Sequence, residues 1–290
     1  MILKIFFFGT GRWSQNYFSL IEKRLKQNFN ISCIITNNSN FKNDLYNTEI
    51  SLEKAILNFG VPDCFILCTN PKLNNSILKK IYKFNKPIII EKPIALSKDI
   101  DDLILNIPKK NSSKILVNHI HFYNEYFKKN FLELKNETHY KIKIIDGNKG
   151  PIRNYSPLSD WGPHPLGIAS YYLGELKNIK ILKLKKLNYI DPLRFNLYIK
   201  LSDMKENKIF DILLGNNFNY KKRTILFSNK HVTKNFNYQD SISLISPLEN
   251  LLLKFHNLIS NKSINLNDET LVSAINSSKI IQIIEKQLKL

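Results

Sequence analysis

The chain has 290 residues, of which 43% are hydrophobic, so it can form about two domains with buried cores, and general disorder is excluded. No apolar run reaches the roughly 18 residues that a membrane span needs, so we expect a soluble, cytoplasmic protein with no membrane partner. The net charge of +19 comes mostly from scattered lysines, with only five arginines, which argues against nucleic acid as a partner and suits an anionic small-molecule substrate.

The three cysteines, Cys33, Cys64 and Cys68, lie in apolar, strand-like runs. Their number is odd and their spacing is not that of a metal site. We therefore expect buried free thiols and no bound metal.

The first 120 residues alternate apolar strands with amphipathic helices. Strands are predicted over 2–8, 31–36, 63–69, 87–91 and 114–118. Helices are predicted over 15–26, 51–59 and 73–81, and Ser97 is placed to cap another short helix. Strands that are apolar throughout indicate a parallel sheet covered on both faces, so residues 1–119 are predicted to form a doubly wound, dinucleotide-binding Rossmann domain.

The pattern then changes to alternation with a period of two, most clearly between Phe195 and Ser202. Further strands are predicted near 140–145, 178–187, 208–214 and 223–228. Two helices close the chain, one beginning at Ser246-Pro247 and one over 269–288. Residues 120–290 are therefore predicted to form an α+β domain with a large, mostly antiparallel sheet, which makes the whole chain an α/β protein.

A glycine-containing turn follows the first strand and opens a helix. Such a turn brings backbone N–H groups and the positive helix end close to a pyrophosphate. Ser14 stands where many such motifs have a third glycine. The candidate cofactor residues here are Gly9, Thr10, Gly11, Arg12 and Trp13. The alternative is a purely structural turn.

The second strand ends at Thr36 and Asn37 with no carboxylate to bind the 2′-hydroxyl of NAD. Hydroxyls, amides and nearby Arg12 suit a 2′-phosphate better, so NADP is favoured over NAD. The alternative is a merely polar loop that accepts either cofactor.

Thr69 and Asn70 end the third predicted strand, at the sheet edge where ligands of such folds bind. They are candidate cofactor contacts. An Asn-Pro turn explains Asn70 and Pro71 almost equally well.

Glu91, Lys92 and Pro93 end the next strand on the same edge. Proline restricts the residue before it and permits a cis peptide, so Lys92 is held in one direction. A lysine in a dry cleft can hydrogen-bond a substrate hydroxyl and the nicotinamide together. The alternative is a surface lysine before a turn.

Asp160 and His164 are spaced i, i+4, which places both on one face if a helix has started. A carboxylate beside an imidazole fixes its orientation, and His164 could then exchange a proton with an alcohol or a carbonyl. The alternative is that Asp160 caps the helix and His164 is its satisfied partner.

These motifs, in this order, resemble the Gfo/Idh/MocA family of oxidoreductases. The likeness is carried by residues 9–14, 68–78, 88–97 and 160–174, with Glu-Lys-Pro and Asp-x-x-x-His as its most specific parts. One departure is Gly167, because many members have an aspartate three residues after the histidine.

The resemblance implies an NAD(P)-dependent enzyme that moves a hydride between nicotinamide and a hydroxyl or carbonyl of a sugar, a sugar nucleotide or a small polyol. Lys92, Asp160 and His164 match the family's catalytic residues. Asn118, at the end of the last Rossmann strand, matches a frequent contact of the nicotinamide or substrate. The resemblance further implies that residues 120–290 bind substrate and form an oligomer interface, as in a homodimer or homotetramer.

Two alternatives stay open at this point. The same scaffold could reduce a non-sugar C=O, C=N or tetrapyrrole substrate. It could also be a catalytically silent, NAD(P)-binding regulator, since a fold does not fix a function.

Overall fold

The computed structural model describes residues 1–41, 43–107, 114–131, 137–237, 245–261 and 269–290. The chain divides into two compact units. The first unit consists of Met1–Ala95, Asp99–Asn118 and Leu248–Leu271, and the second of Leu96–Lys98, His119–Pro247 and Val272–Leu290.

The first unit is built on a six-stranded sheet with the order β3-β2-β1-β4-β5-β6, and all neighbouring strands are parallel. Its strands are β1 (Leu3–Phe8), β2 (Phe29–Ile35), β3 (Thr48–Glu49), β4 (Cys64–Leu67), β5 (Ile88–Glu91) and β6 (Ile115–Asn118). Its helices are α1 (Ser14–Arg24), α2 (Leu52–Phe59), α3 (Pro71–Ile81) and α4 (Ile100–Asn106). The sequence prediction of a doubly wound parallel sheet is confirmed.

The central strands of this sheet are buried because most of their side chains are apolar on both faces. All residues of β4, β5 and β6 are buried. The helices begin and end at residues suited to those positions: Ser51 caps α2 by accepting from the Lys54 N–H, and Gly60 ends it at a φ of 69°.

The second unit contains another six-stranded sheet, with the order β12-β11-β7-β10-β9-β8. Only β7 and β10 pair in parallel, so the expectation of a mostly antiparallel sheet is also confirmed. Its strands are β7 (Tyr140–Lys149), β8 (Ile179–Asp191), β9 (Arg194–Asp203), β10 (Lys208–Gly215), β11 (Asn217–Ser228) and β12 (Thr233–Asn237).

Helices cover one face of this second sheet. They are α5 (Glu125–Phe131), α6 (Pro157–Trp161), α7 (Pro163–Leu173) and part of α9 (Glu269–Leu288), whereas α8 (Pro247–Ser260) lies almost wholly in the first unit. Alternate residues of β9, including Phe195, Leu197, Ile199 and Leu201, are fully buried against this layer. Among the described helices, none combines the length and the apolarity needed to cross a membrane.

Most predicted elements were found within a few residues of their predicted bounds. The prediction that Ser97 caps a helix was wrong. Its hydroxyl instead donates to the Glu285 carboxylate on α9, and the helix that follows has Asp99 at its N-cap. The three cysteines are free, with Cys33 and Cys64 buried and Cys68 half-buried.

Candidate functional site

The turn between β1 and α1 needs glycine at its first position. Gly9 has a φ of 102°, which side chains disfavour, and a Cβ there would lie 2.3 Å from the Cys68 carbonyl oxygen. The Gly9 N–H also donates to the Ile35 carbonyl at 3.1 Å. Gly9 therefore packs the turn tightly between the ends of β2 and β4.

Gly11 differs from Gly9 because the protein itself does not crowd it. A Cβ at Gly11 would meet no described atom within 4 Å, and the residue is exposed. It directly precedes the turn into α1, whose N–H groups face the sheet edge that binds ligands in such folds. Space beside this turn fits the close approach of a pyrophosphate.

Thr10 and Thr36 connect this turn to the end of β2. Their hydroxyl oxygens are 3.2 Å apart, and the Thr36 hydroxyl also accepts from the Asn38 N–H at 3.1 Å. Asn37 and Arg12 are exposed. The polar loop at the end of β2 thus contains local turn bonds together with polar side chains that a cofactor could reach.

The end of β4 is tied to the segment that follows Lys92. The Thr69 hydroxyl donates to Asn74 Oδ1 at 2.7 Å, and Asn74 Nδ2 donates to the carbonyl oxygens of Pro93 and Ile94 at 3.2 and 3.1 Å. Asn70 caps α3 by accepting from the Lys72 N–H, as the Asn-Pro turn alternative implies. Asn74 therefore fixes the chain directly after the candidate catalytic lysine.

The Glu91 side chain accepts hydrogen bonds from two predicted cofactor residues, Trp13 and Asn118, and from Tyr17. Its Oε1 accepts from Trp13 Nε1 at 2.7 Å, Tyr17 OH at 2.6 Å and Asn118 Nδ2 at 2.5 Å. Burial raises the pKa of Glu91 above its usual value, although these hydrogen bonds and the charge of Lys92 oppose the rise. Burial, together with the charge of Glu91, also raises the pKa of Tyr17 well above its usual value.

Lys92 follows directly at the end of β5 and is half-buried. The Lys92–Pro93 peptide bond is cis, which the sequence permitted. Lys92 thus stands at the carboxyl edge of the parallel sheet, on the same edge as Gly9, Thr69 and Asn118.

Asp160 lies on α6 in the second unit. Its Oδ2 is 3.5 Å from Arg153 Nε. Burial of Tyr155 raises the pKa of that tyrosine to about 12, and the negative charge of Asp160 contributes to the rise. The alternative in which Asp160 caps the helix is wrong, because Ser156 is the N-cap and accepts from the Ser159 N–H at 3.3 Å. The next helix, α7, has Gly162 at its N-cap, so Asp160 caps neither helix, and its carboxylate lies beside the Arg153 guanidinium.

His164 lies on α7 within a cluster of imidazoles. Its ring centroid is 4.7 Å from that of His121 and 5.9 Å from that of His119, in T-shaped arrangements. All three histidines are buried, with His119 fully inaccessible. Gly167 completes this cluster, since a Cβ there would lie 2.8 Å from His119 Cε1. His119 thus takes the space beside the position where the family often has an aspartate.

The sequence did not identify Tyr17, Asn74 and Tyr155 as site residues. Tyr17 lies at an apolar position of the helix predicted over 15–26, although a buried tyrosine hydroxyl generally needs a polar partner. Asn74 lies inside the helix that the apolar residues over 73–81 predict, and its own residue type indicates no role there. Tyr17 bonds Glu91, 74 residues away, and Asn74 bonds the carbonyls of Pro93 and Ile94, 19 and 20 residues away, so sequence neighbours gave no signal for these two.

The described residues contain no group of three or more histidine, cysteine, aspartate or glutamate side chains that could hold a metal ion. The groups at the edge of the first sheet instead fit a dinucleotide. Gly11 leaves room for phosphates, and Asn118 Oδ1 is buried without a hydrogen-bond partner among the described residues. A buried acceptor of that kind requires a donor.

A parallel sheet in this strand order, with a glycine turn opening the first helix, defines a Rossmann-type dinucleotide-binding unit. Residues 3–119 match the model of the Gfo/Idh/MocA family, described as an oxidoreductase family with an NAD-binding Rossmann fold. This match covers the first domain of the chain and confirms there the resemblance to the Gfo/Idh/MocA oxidoreductases seen in the sequence. No curated protein matches the chain in sequence.

Solved structures share the fold over nearly the full length of the chain. UDP-N-acetylglucosamine 3-dehydrogenase GnnA from Acidithiobacillus ferrooxidans is 9% identical, with a TM-score of 0.78 and coverage of 98% of this chain and 97% of that one. A myo-inositol dehydrogenase from Corynebacterium glutamicum is 12% identical, with a TM-score of 0.77 and coverage of 97% and 96%. The WlbA dehydrogenase from Bordetella pertussis, in complex with NADH and UDP-GlcNAcA, is 12% identical, with a TM-score of 0.73 and coverage of 100% and 97%. At these identities the likeness shows the fold alone.

Proposed function

We propose that the protein is an NAD(P)-dependent oxidoreductase that interconverts a hydroxyl and a carbonyl on a sugar, a sugar nucleotide or a related small polyol. The observation that carries this proposal is the turn at Gly9 and Gly11. The backbone conformation and the close Cys68 carbonyl require glycine at position 9, whereas a Cβ at position 11 would meet no described atom within 4 Å. Its family match to NAD-binding oxidoreductases supports the same conclusion. Residues 1–119 would bind the dinucleotide and residues 120–290 the substrate.

The bound nicotinamide would supply the hydride acceptor or donor. Lys92 polarises the substrate oxygen, and His164 takes the proton of the hydroxyl during oxidation or returns it during reduction. Asp160 fixes the imidazole and favours its charged form. Gly9 to Trp13, Thr36, Asn37, Thr69, Asn70, Glu91 and Asn118 are the residues proposed to bind or position the cofactor.

NADP is the proposed preference over NAD. Support comes from Thr36 and Asn37, which place no carboxylate at the end of β2, and from the exposed guanidinium of Arg12. Titration of the protein with NADPH and NADH tests this preference. Tighter binding of NADH would reject it.

An anionic sugar nucleotide is the substrate class we favour. The net charge of +19 attracts anions, and two proteins of the same fold are described with uridine-diphosphate sugars. We also propose a homo-oligomer, either a dimer or a tetramer, whose mass light scattering would measure.

A thermal-shift screen tests the proposed function. We expect both cofactors to raise the melting temperature in proportion to occupancy, and a subset of sugar nucleotides, sugars or inositols to raise it further. Compounds that stabilise the protein should then act as substrates and reduce the oxidised cofactor. The absorbance of the reduced cofactor measures this reaction. Cofactor binding without turnover of any stabilising compound would favour the silent-regulator alternative, and no cofactor binding would reject the proposal.

A further inference from the structure

Glu285 is a half-buried carboxylate on the apolar side of the last helix, α9. Ile281 and Leu288, one turn before it and one turn after it, pack in or against the core of the second unit. A carboxylate at such a position is costly unless hydrogen-bond donors satisfy it. The donors that reach Glu285 therefore indicate what this residue holds in place.

Three serine hydroxyls donate to this carboxylate. Ser156 and Ser159 both donate to Oε1, the second of them at 3.0 Å, and Ser97 donates to Oε2. All three serines belong to the second unit, as Glu285 does, although they lie between 126 and 188 residues before it in the chain. Both carboxylate oxygens are thus held, and Glu285 connects segments that are far apart in sequence.

Two of these serines determine where α6 begins. Ser156 is the N-cap of α6, and its hydroxyl oxygen accepts from the Ser159 N–H at 3.3 Å while its proton is donated to Glu285. The Ser156 carbonyl oxygen accepts from the Asp160 N–H, also at 3.3 Å. Glu285 thus binds the residue that caps the helix and the residue directly before Asp160.

The α6 helix is too short to hold its own position. It has five residues, whereas isolated helices shorter than about 12–15 residues are marginal in water. Its place is therefore set by tertiary contacts, namely the burial of Leu158 and Trp161 and the hydrogen bonds to Glu285. Apolar burial is non-directional, so the directional hydrogen bonds fix where the helix starts and how it is rotated.

We propose that Glu285 is a positioning residue for the reaction, which anchors α6 and thereby holds Asp160 where it can act on His164. The inference rests on the proposed function, because the roles of Asp160 and His164 belong to it. It adds a residue of α9 to those on which activity depends. The effect of Glu285 passes through the first turn of α6.

Amide hydrogen exchange in the protein without ligands tests the anchoring of α6. We expect Glu285→Ala to speed the exchange of residues 159–162 by about tenfold or more, because their N–H groups belong to the turn that the carboxylate fixes. Exchange in β9 should stay as in the wild-type protein, which separates a local effect from a general loss of stability. Unchanged exchange over 159–162 would overturn the proposal.

Two further variants serve as comparisons. Glu285→Gln keeps a side-chain oxygen that accepts from Ser156 and Ser159, so its exchange over 159–162 should lie close to that of the wild-type protein. Gln287→Ala removes an exposed side chain two residues further along α9 and should leave this exchange unchanged. Equal acceleration in Gln287→Ala and Glu285→Ala would show that the carboxylate has no special part in holding α6, which would overturn the proposal.

Single-turnover kinetics, with the substrate that the thermal-shift screen identifies, test the link to the reaction. We expect Glu285→Ala to slow nicotinamide reduction about tenfold or more at saturating substrate while the affinity for NADPH stays unchanged, and Glu285→Gln to recover most of the rate. In an Asp160→Ala background, Glu285→Ala should cost no further rate, because its effect passes through Asp160. A rate loss of equal size in both backgrounds would overturn the proposal.

The failure of this inference and the failure of the proposed function are distinguishable. Turnover by the wild-type protein, together with an unchanged rate in Glu285→Ala, would reject the positioning role alone. A wild-type protein that turns over no stabilising compound would reject the proposed function and, with it, the positioning role in the reaction, even if exchange over 159–162 is faster in Glu285→Ala.

Discussion

The imidazole of His119 packs directly against Gly167, so that a Cβ at residue 167 would come within 2.8 Å of its Cε1. Gly167 lies in the middle of α7, where glycine is otherwise unfavourable by about 1 kcal/mol relative to alanine. The glycine at this position is therefore explained by the histidine beside it. His119 in turn contacts His164, the candidate proton carrier.

Gly167→Ala should destabilise the protein by about 1–3 kcal/mol, because the added methyl group overpacks the buried His119 ring. In a His119→Ala background the same change should be neutral or stabilising, since the space is open and alanine favours the helix. Chemical denaturation of the four proteins measures this coupling. Equal costs in both backgrounds would show that His119 does not require the glycine.

Gly9→Ala and Gly11→Ala should have opposite consequences. At Gly9 the φ of 102° and the Cys68 carbonyl oppose any side chain, so we expect a loss of about 2 kcal/mol or more of stability. Gly11→Ala should fold with wild-type stability but lose about tenfold or more in affinity for NAD(P)H, because the methyl group enters the space for the phosphates. Denaturation and fluorescence titration separate the effects. Unchanged affinity in Gly11→Ala would count against a phosphate site at this turn.

Asn74→Ala should destabilise the first unit by about 2–3 kcal/mol, because it leaves the Thr69 hydroxyl and two carbonyl oxygens without their partner. We also expect faster amide hydrogen exchange in residues 94–96. Asn75→Ala, which removes a surface hydrogen bond to Asp102, is the control and should change stability by less than about 0.5 kcal/mol. Similar effects of the two variants would contradict the role given to Asn74.

The stability contributed by Glu91 should depend on pH with a definite sign. Burial raises the pKa of Glu91 above its ordinary value of 4.5, so the folded protein holds this proton more tightly than the unfolded chain. The free energy of unfolding, relative to Glu91→Gln, should therefore fall as the pH rises from about 4.5 through the folded pKa. Denaturation of both proteins over a pH series measures the difference. A difference that grows with pH would mean that the pKa is lowered instead.

The spacing of apolar residues predicted the large helices and strands because these elements form by burying those residues. The last helix was predicted over 269–288 and observed over the same residues, and β4, β5 and β6 are as apolar as a two-sided sheet requires. The two-residue β3 has no pattern of its own, since it forms only by pairing with the end of β2.

The candidate site was predictable where local sequence determines geometry. The glycine turn at Gly9 and the polar residues at the carboxyl ends of the strands were predicted from residues close together in sequence. Ser97 shows the limit, because its hydroxyl finds Glu285 at a separation of 188 residues rather than the nearby helix. Tyr17 and Gly167 show the same limit. Their roles depend on contacts with Glu91 and His119, which lie on other elements.

Single-turnover kinetics test the central claim most directly, with a substrate that the thermal-shift screen identifies and saturating NADP or NAD. The account predicts rapid nicotinamide reduction in the wild-type protein and a rate lower by about 100-fold or more in both Lys92→Ala and His164→Ala. Wild-type rates in both variants would contradict it.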